Sequence, residues 1–284
     1  LLQESPANSF YYTTSELKKN MSELEILCRY VSDLARKVGL FIAQQNEIFE
    51  KKHIEHKGLN DLVSYVDKES EKRLTEGLFK LMPDAGFISE ESPETHSISH
   101  KQYHWVIDPL DGTTNFIHGL PVFAISIGLM DEDEVVLGVV YEVNKKECFY
   151  ATKGKGAFCN GTKIRISEAQ TLSESLLATG FPYRFFEKNN EYLQILNALM
   201  QRSHGLRRLG SAAVDLAYTA CGRFDGFFEF NLKPWDVAAG TLLVQEAGGQ
   251  VGKFDGGKEV IFGKEILAAG NIFEEMKQVI QTYW

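Results

Sequence analysis

"WVIDPLDGTTNFIHG", residues 105–119, decides how the chain is read. Trp105-Val106-Ile107 is an apolar run that reads as a buried strand, and it delivers Asp108 at its carboxyl end. Asp111 follows three positions later. Pro109 and Gly112 force the chain to turn, so both carboxylates can converge on one point. Gly112, Thr113, Thr114 and Asn115 then open a helix, whose first N–H groups lack intrahelical partners and suit a phosphate. Two aspartates at this spacing usually do no more than cap a turn. The phosphate cradle beside them shifts the reading toward metal-assisted phosphoryl transfer. Hard oxygen ligands with no nearby His or Cys ligand favour Mg²⁺.

Upstream, apolar residues recur at helical spacing from 22 to about 46: Leu27, Tyr30, Val31, Leu34, Val38, Phe41 and Ile42. Ser22 and Glu25 stand at capping-box spacing. "NDLVSYVD" (60–67) is a short extended piece. A second helix is predicted from Asp67 to Leu81, with Leu74 and Leu78 inward and Pro83 as its stop. Strands are predicted at 86–89, 104–108, 123–130, 135–142 and 147–152. Asn160-Gly161 marks a hairpin inside 158–164. Downstream the pattern alternates: strands at 175–180, 225–230 and 265–270, and helices at 189–202, 211–222 and 234–249. Asn271 is expected to cap a last helix. Helices followed by a mostly antiparallel sheet, then an alternating α/β layer, make an α+β and α/β protein.

One metal site needs more ligands than this loop supplies. "FISEESPE" places Glu90 and Glu91 at another strand end, and neighbouring strand residues face opposite ways, so only one can face the site. "KPWDVAAG" places Asp236 in the first turn of a helix, where the dipole favours a carboxylate with or without a metal. Other signals read as structural. His96, His100 and His104 are four apart, but Pro93 and several serines argue against a helix there. His118 reads as structural or as pocket rim, Phe227 and Phe228 as packing, and Arg207-Arg208 as a solvated or salt-bridged pair.

The chain has 284 residues, enough for one large domain or two packed halves. A net charge of −9 argues against nucleic acid or an anionic membrane as main partner. It leaves a phosphorylated substrate open, because bound cations reverse the sign locally. The four cysteines, Cys28, Cys148, Cys159 and Cys221, form no CxxC pair and read as reduced thiols. No apolar run approaches a membrane span and no secretory signal is visible, so the expected location is cytoplasmic. Residues 1–20 read as an extension outside the core, with the folded part beginning near Met21.

Three segments together resemble the inositol monophosphatase family of Mg²⁺-dependent, lithium-sensitive phosphatases: "FISEES", "WVIDPLDGTTNFIHGLPVFAISIGL" and "LKPWDVAAGTLLVQEAGG". "KGLNDLVSYVD" and "RRLGSAAVDLAYTACGRFDGFFE" resemble bacterial-type members. The resemblance runs from about Met21 to the C-terminus and implies a layered α-β-α-β-α sandwich of the inositol monophosphatase and fructose-1,6-bisphosphatase type, usually a homodimer. It implies an N-terminal half, 21–170, carrying most metal ligands, and a C-terminal half, 171–284, carrying Asp236 and the substrate wall. It also implies two or three Mg²⁺ per site. Glu90 matches the glutamate of the activating metal, Asp108 the carboxylate bridging two metals, and Leu110 a carbonyl ligand. Asp111 and Asp236 match the ligands of the second metal. Asp67 with Thr113 matches the pair that orients the attacking water, with Glu90 also counted as catalytic. Gly112 and Thr113 match backbone donors to phosphate, and Asp111, Ala212 and Glu229 match contacts to substrate hydroxyls. Lys57 resembles a basic loop residue near a further metal.

The function implied is hydrolysis of a small phosphate monoester, inositol monophosphate or a related sugar or polyol phosphate, without a phosphoenzyme. Thr114-Asn115 stands where relatives that act as 3′(2′),5′-bisphosphate nucleotidases carry Lys-Glu, which favours the inositol phosphate branch. "TGFPYR" (179–184) departs from the animal enzymes' loop. A non-catalytic metal- or phosphate-binding regulator is the alternative of another class, and it predicts a lost ligand, whereas Asp67, Glu90, Asp108, Asp111, Thr113 and Asp236 are all present.

Overall fold

The structure is a computed structural model that describes residues 21–49, 54–58, 61–92, 101–181 and 187–284. The expected N-terminal extension, His96 and His100, most of the polar loop at 92–102 and part of the 179–184 segment lie outside the described residues.

Helix α1 (Met21–Ile48) buries one stripe, Leu24, Leu27, Val31, Ala35, Val38 and Ile42. Tyr30, expected on that stripe, points outward instead. Strands β1 (Ile54–Gly58) and β2 (Asp61–Ser64) pair antiparallel. Helix α2 (Tyr65–Leu81) begins two residues before the predicted start, because Ser64 and Asp67 cap it reciprocally. Leu74 and Leu78 are fully buried, as the spacing requires.

A seven-stranded sheet follows in sequence order: β3 (Gly86–Ser89), β4 (Tyr103–Asp111), β5 (Ala124–Asp131), β6 (Glu134–Glu142), β7 (Glu147–Thr152), β8 (Ala157–Cys159) and β9 (Thr162–Lys163). Only β3 and β4 run parallel; the other neighbours are antiparallel. Asn160 and Gly161, both at positive φ, turn β8 into β9. The second sheet has the order β11-β10-β12-β14-β13, with β10 (Leu176–Thr179), β11 (Gly205–Arg207), β12 (Gly226–Phe230), β13 (Gln250–Gly252) and β14 (Glu265–Ala269). It mixes parallel pairs around β10 with antiparallel pairs around β14.

The remaining helices are α3 (Thr113–His118), α4 (Asn189–Met200), α5 (Ala212–Ala220), α6 (Pro234–Glu246) and α7 (Phe273–Gln281). Asn271 does not cap α7; Ile272 holds the cap position and makes no side-chain bond. Helices α1 and α2 cover one face of the large sheet, through a core that includes Leu27, Leu74, Trp105 and Ile127. Helices α5 and α6 lie between the two sheets, and α4 and α7 cover the outer face of the second. The result is the α-β-α-β-α sandwich that the resemblance implies. Helix α6, enclosed on both sides, is buried along the whole run from Val237 to Val244. It lies so close to the large sheet that a Cβ at Gly138 would stand 2.7 Å from the Ala239 carbonyl oxygen. Phe227 and Phe228 are fully buried core residues. Among the described residues no helix is long and apolar enough to cross a membrane.

Candidate metal centre

Strand β4 runs past its predicted end at Asp108 and reaches Asp111. The turn expected there is a bulge inside the strand. Asp108 stands opposite Ser126 and Asp111 opposite Ala124, so three steps along β4 face two along β5. Pro109 has no N–H to give the ladder, which accounts for the break at that point. Leu110 N–H donates to Asp108 Oδ1 at 2.9 Å and fixes that carboxyl. Gly112, at φ 97°, turns the chain directly into α3, a conformation that strains any other residue type.

Asp236 comes from the far side of the fold. It occupies the third position of α6, where its Oδ2 accepts from Lys233 N–H at 2.7 Å. Ser126, opposite Asp108 on β5, donates to the Trp235 carbonyl at 2.9 Å and ties the start of α6 to the sheet. Carboxylate oxygens of Asp108, Asp111 and Asp236 all lie within 4.8 Å of one another. Glu90, one residue beyond β3, lines the same pocket and acts electrostatically on Asp108. Glu91 is not in the pocket lining; its N–H and the Ser92 hydroxyl both donate to buried Glu71 on α2. Of the pair, Glu90 alone is in the pocket lining, although both residues lie beyond the end of β3.

Asp67 reaches the site from α2. Its Oδ2 accepts from Ser64 N–H at 2.8 Å and from Ser64 Oγ at 2.6 Å. Its Oδ1 accepts from Thr113 Oγ1 at 2.9 Å. Thr113 Oγ1 also lies 3.0 Å from the Leu110 carbonyl oxygen. Asp111 is anchored through Oδ2 alone, by Ser211 Oγ and Ala213 N–H, each at 2.7 Å, which leaves Oδ1 to serve a cation.

Glu90, Asp108, Leu110, Asp111, Gly112, Thr113 and Asp236 line a pocket of about 200 Å³ whose far wall includes Ala212, Asp215, Glu229 and Arg208. Asp67 is not in its lining and reaches it through Thr113. Arg208, read from the sequence as a solvated or salt-bridged cation, stands on the pocket wall and acts electrostatically on Asp111 and Glu229. His118 is exposed and does not line the pocket, and Lys57 falls on β1 with its side chain outside the described residues. Asn115 Nδ2 donates to the Val122 and Leu209 carbonyls at 2.7 and 2.8 Å, joining α3 to the segment that carries Arg208.

The electrostatics are those of crowded acids. Burial pushes Asp108 well above the usual carboxylate range, and Glu90, Asp111 and Asp236 push it further. Asp236 is raised in the same way, by burial and then by Asp111. Burial lifts Asp111 to about 6, although the bonds from Ser211 and Ala213 and the charge of Arg208 hold it down. Glu229 is lifted to about 8 by burial, with Asp111 adding and Arg208 opposing. Burial also raises Asp67, against the bonds from Ser64 and Thr113. Such a cluster must hold protons or a cation. Its donors are all hard oxygens, which fit Mg²⁺.

Sequence reasoning missed Ser64, which holds Asp67, Ser211, which holds Asp111, and Ser126, which ties the start of α6 to the sheet. Only Ser64 left a local trace, a serine three residues before Asp67 in capping-box spacing.

The family model described as "Inositol monophosphatase family" matches residues 24–284. A curated relative from Escherichia coli named "Nus factor SuhB" is 45% identical over 234 residues, covering 82% of this chain and 87% of that protein. Among solved structures, the extragenic suppressor protein suhB from Bartonella henselae superposes with TM-score 0.83 at 37% identity, over 90% of this chain and 98% of that one. An inositol monophosphatase from Anabaena superposes with TM-score 0.81 at 34% identity, over 93% of this chain and 98% of that one.

Proposed function

This chain belongs to the inositol monophosphatase family, and from that premise we propose that it is a Mg²⁺-dependent phosphomonoesterase acting on inositol monophosphate and related sugar or polyol phosphates. The observation that carries the proposal is the convergence of Asp108, Asp111 and Asp236 within 4.8 Å beside the Thr113–Asp67 hydrogen bond.

Glu90, Asp108, Asp111, Asp236 and the Leu110 carbonyl would hold the two or three Mg²⁺. Bound there, the cation supplies acidity to water near neutral pH and offsets charge building on the leaving oxygen. The protein residues do the positioning. Thr113 donates its hydroxyl hydrogen bond to Asp67 and so turns a lone pair toward the attacking water. Asp67, held by Ser64 on its other oxygen, accepts that bond without moving. N–H groups of Gly112 and Thr113 take phosphate oxygens at the start of α3. Asp111, the Ala212 backbone and Glu229 receive hydroxyls of the alcohol. Ser211 lines the pocket, but its hydroxyl donates to Asp111 and no His or Lys base stands beside it among the described pocket residues. Water therefore attacks phosphorus directly in this reading and no phosphoenzyme forms. Trapping phosphate covalently on the protein would sink this mechanism.

The deciding experiment is phosphate release from inositol 1-phosphate over a Mg²⁺ titration, with Asp111→Asn as control. Mg²⁺-dependent release that disappears in the variant supports the reading. No release from folded protein removes it; turnover of 3′-phosphonucleotides alone would replace it with the bisphosphate nucleotidase reading. We place lithium inhibition, a homodimer and a cytoplasmic location within the same proposal. A second reading, a metal- or phosphate-binding regulator, draws its support from the Nus factor name that relatives carry.

A further inference from the structure

The far wall of the pocket holds a carboxyl with no assigned task. Asp215 sits in the first turn of α5, is 1% exposed, and lines the pocket together with Glu229 and Arg208. Its Oδ1 is buried and has no hydrogen-bond partner. A first-turn acid is favoured by the helix dipole, but that attraction does not replace the hydrogen bond a buried carboxyl oxygen lacks. The groups facing Asp215 make its position worse: Glu229 on β12 and Asp111 on β4 are both acidic, with Arg208 as the opposing charge. An orphan polar atom of this kind, at a pocket wall, points to a missing partner.

We propose that Asp215 is a specificity-determining residue that receives a hydroxyl of the leaving alcohol, beside the one received by Glu229. This rests on the phosphatase reading above. A carboxyl accepts a hydrogen bond from a hydroxyl when ionised and can also donate one when protonated, so the match holds in either state. A second phosphate would meet Glu229 and Asp215 with Arg208 as the one cation in its favour among the described pocket residues, so the wall fits a neutral polyol. The step adds no covalent chemistry. It makes the wall discriminate for ring hydroxyls.

The test compares inositol 1-phosphate with cyclohexyl phosphate, the same ring stripped of its hydroxyls, in the full-length Mg²⁺-loaded protein. The expected result is that Asp215→Ala lowers the kcat/KM preference for the inositol ester roughly 10- to 100-fold, with Asp215→Asn in between. Because Oδ1 has no partner in the protein, the metal-free variants are expected to unfold at the same temperature as the parent or higher. Equal losses on both esters, an unmoved preference, or a large drop in Tm would overturn the inference while leaving the phosphatase reading standing. If the unmodified protein hydrolyses neither ester, the phosphatase reading falls and this inference falls with it.

Discussion

Thr113 has one hydroxyl proton and two acceptors within reach, Asp67 Oδ1 and the Leu110 carbonyl. The proposed water-orienting role needs the Thr113 hydroxyl to donate to Asp67 and not to the Leu110 carbonyl. Thr113→Ala is therefore expected to lower kcat by about 10²- to 10⁴-fold with KM nearly unchanged, while Thr113→Ser keeps most of the rate. Steady-state kinetics on inositol 1-phosphate would check this, and a loss confined to KM would contradict it. Ser64 holds the other oxygen of Asp67 and caps α2, so Ser64→Ala should cost about 1 kcal/mol of stability. Denaturant unfolding would measure it. At this scale the acids were legible and their holders were not. Asp108, Asp111 and Asp236 stand at strand or helix ends, which local pattern marks. Ser211 lies one hundred residues from the Asp111 it anchors, and nothing local to either predicts the bond.

Among the elements, α6 depends most on its neighbours. Its start carries Asp236, its middle is buried all round, and Gly138 on β6 permits the close approach. Gly138→Ala would drive a methyl into the Ala239 backbone, so a destabilisation of about 1–3 kcal/mol is expected, with Mg²⁺ affinity weakened as Asp236 shifts. Calorimetric unfolding with and without Mg²⁺ would show both effects; an unchanged Tm would mean the helix has room to give. The long strands of the first sheet were legible because apolar runs and the Asn160-Gly161 turn define them. Strands β11 and β13 were not, since three residues are too few to establish alternation. The bulge in β4 was read as a turn: Pro109 announces a break in pairing, but not that pairing resumes at Asp111.

The molecule as a whole carries acids whose proton affinity is raised by folding. Asp111 rises from 3.8 to about 6 and Glu229 from 4.5 to about 8. A carboxyl with a raised folded-state pKa stabilises the fold below its unfolded value, and that contribution is lost as pH climbs through the folded value. Metal-free protein should therefore lose Tm between about pH 4 and pH 8, the window those values set. Mg²⁺ competes with the same protons, so its stabilisation should grow with pH across that window. Thermal melts at several pH values, with and without Mg²⁺, test both; a Mg²⁺ shift that shrinks as pH rises would refute the linkage. The thiols behave in the same sense. Burial pushes Cys28 up to about 12 and Cys159 to about 11, and raises Cys148 and Cys221. A thiol reagent at neutral pH should label native protein slowly and all four cysteines after unfolding.

The placement of Asp236 so late in the chain has a temporal meaning. During synthesis Glu90, Asp108 and Asp111 leave the ribosome long before the residue that completes their cluster. Until α6 docks, the nascent polypeptide holds an incomplete set of acids that repel one another. On the proposed reading, a complete cation site exists only once α6 has docked, and a protein truncated before residue 234 would lack Asp236 and bind the cation more weakly.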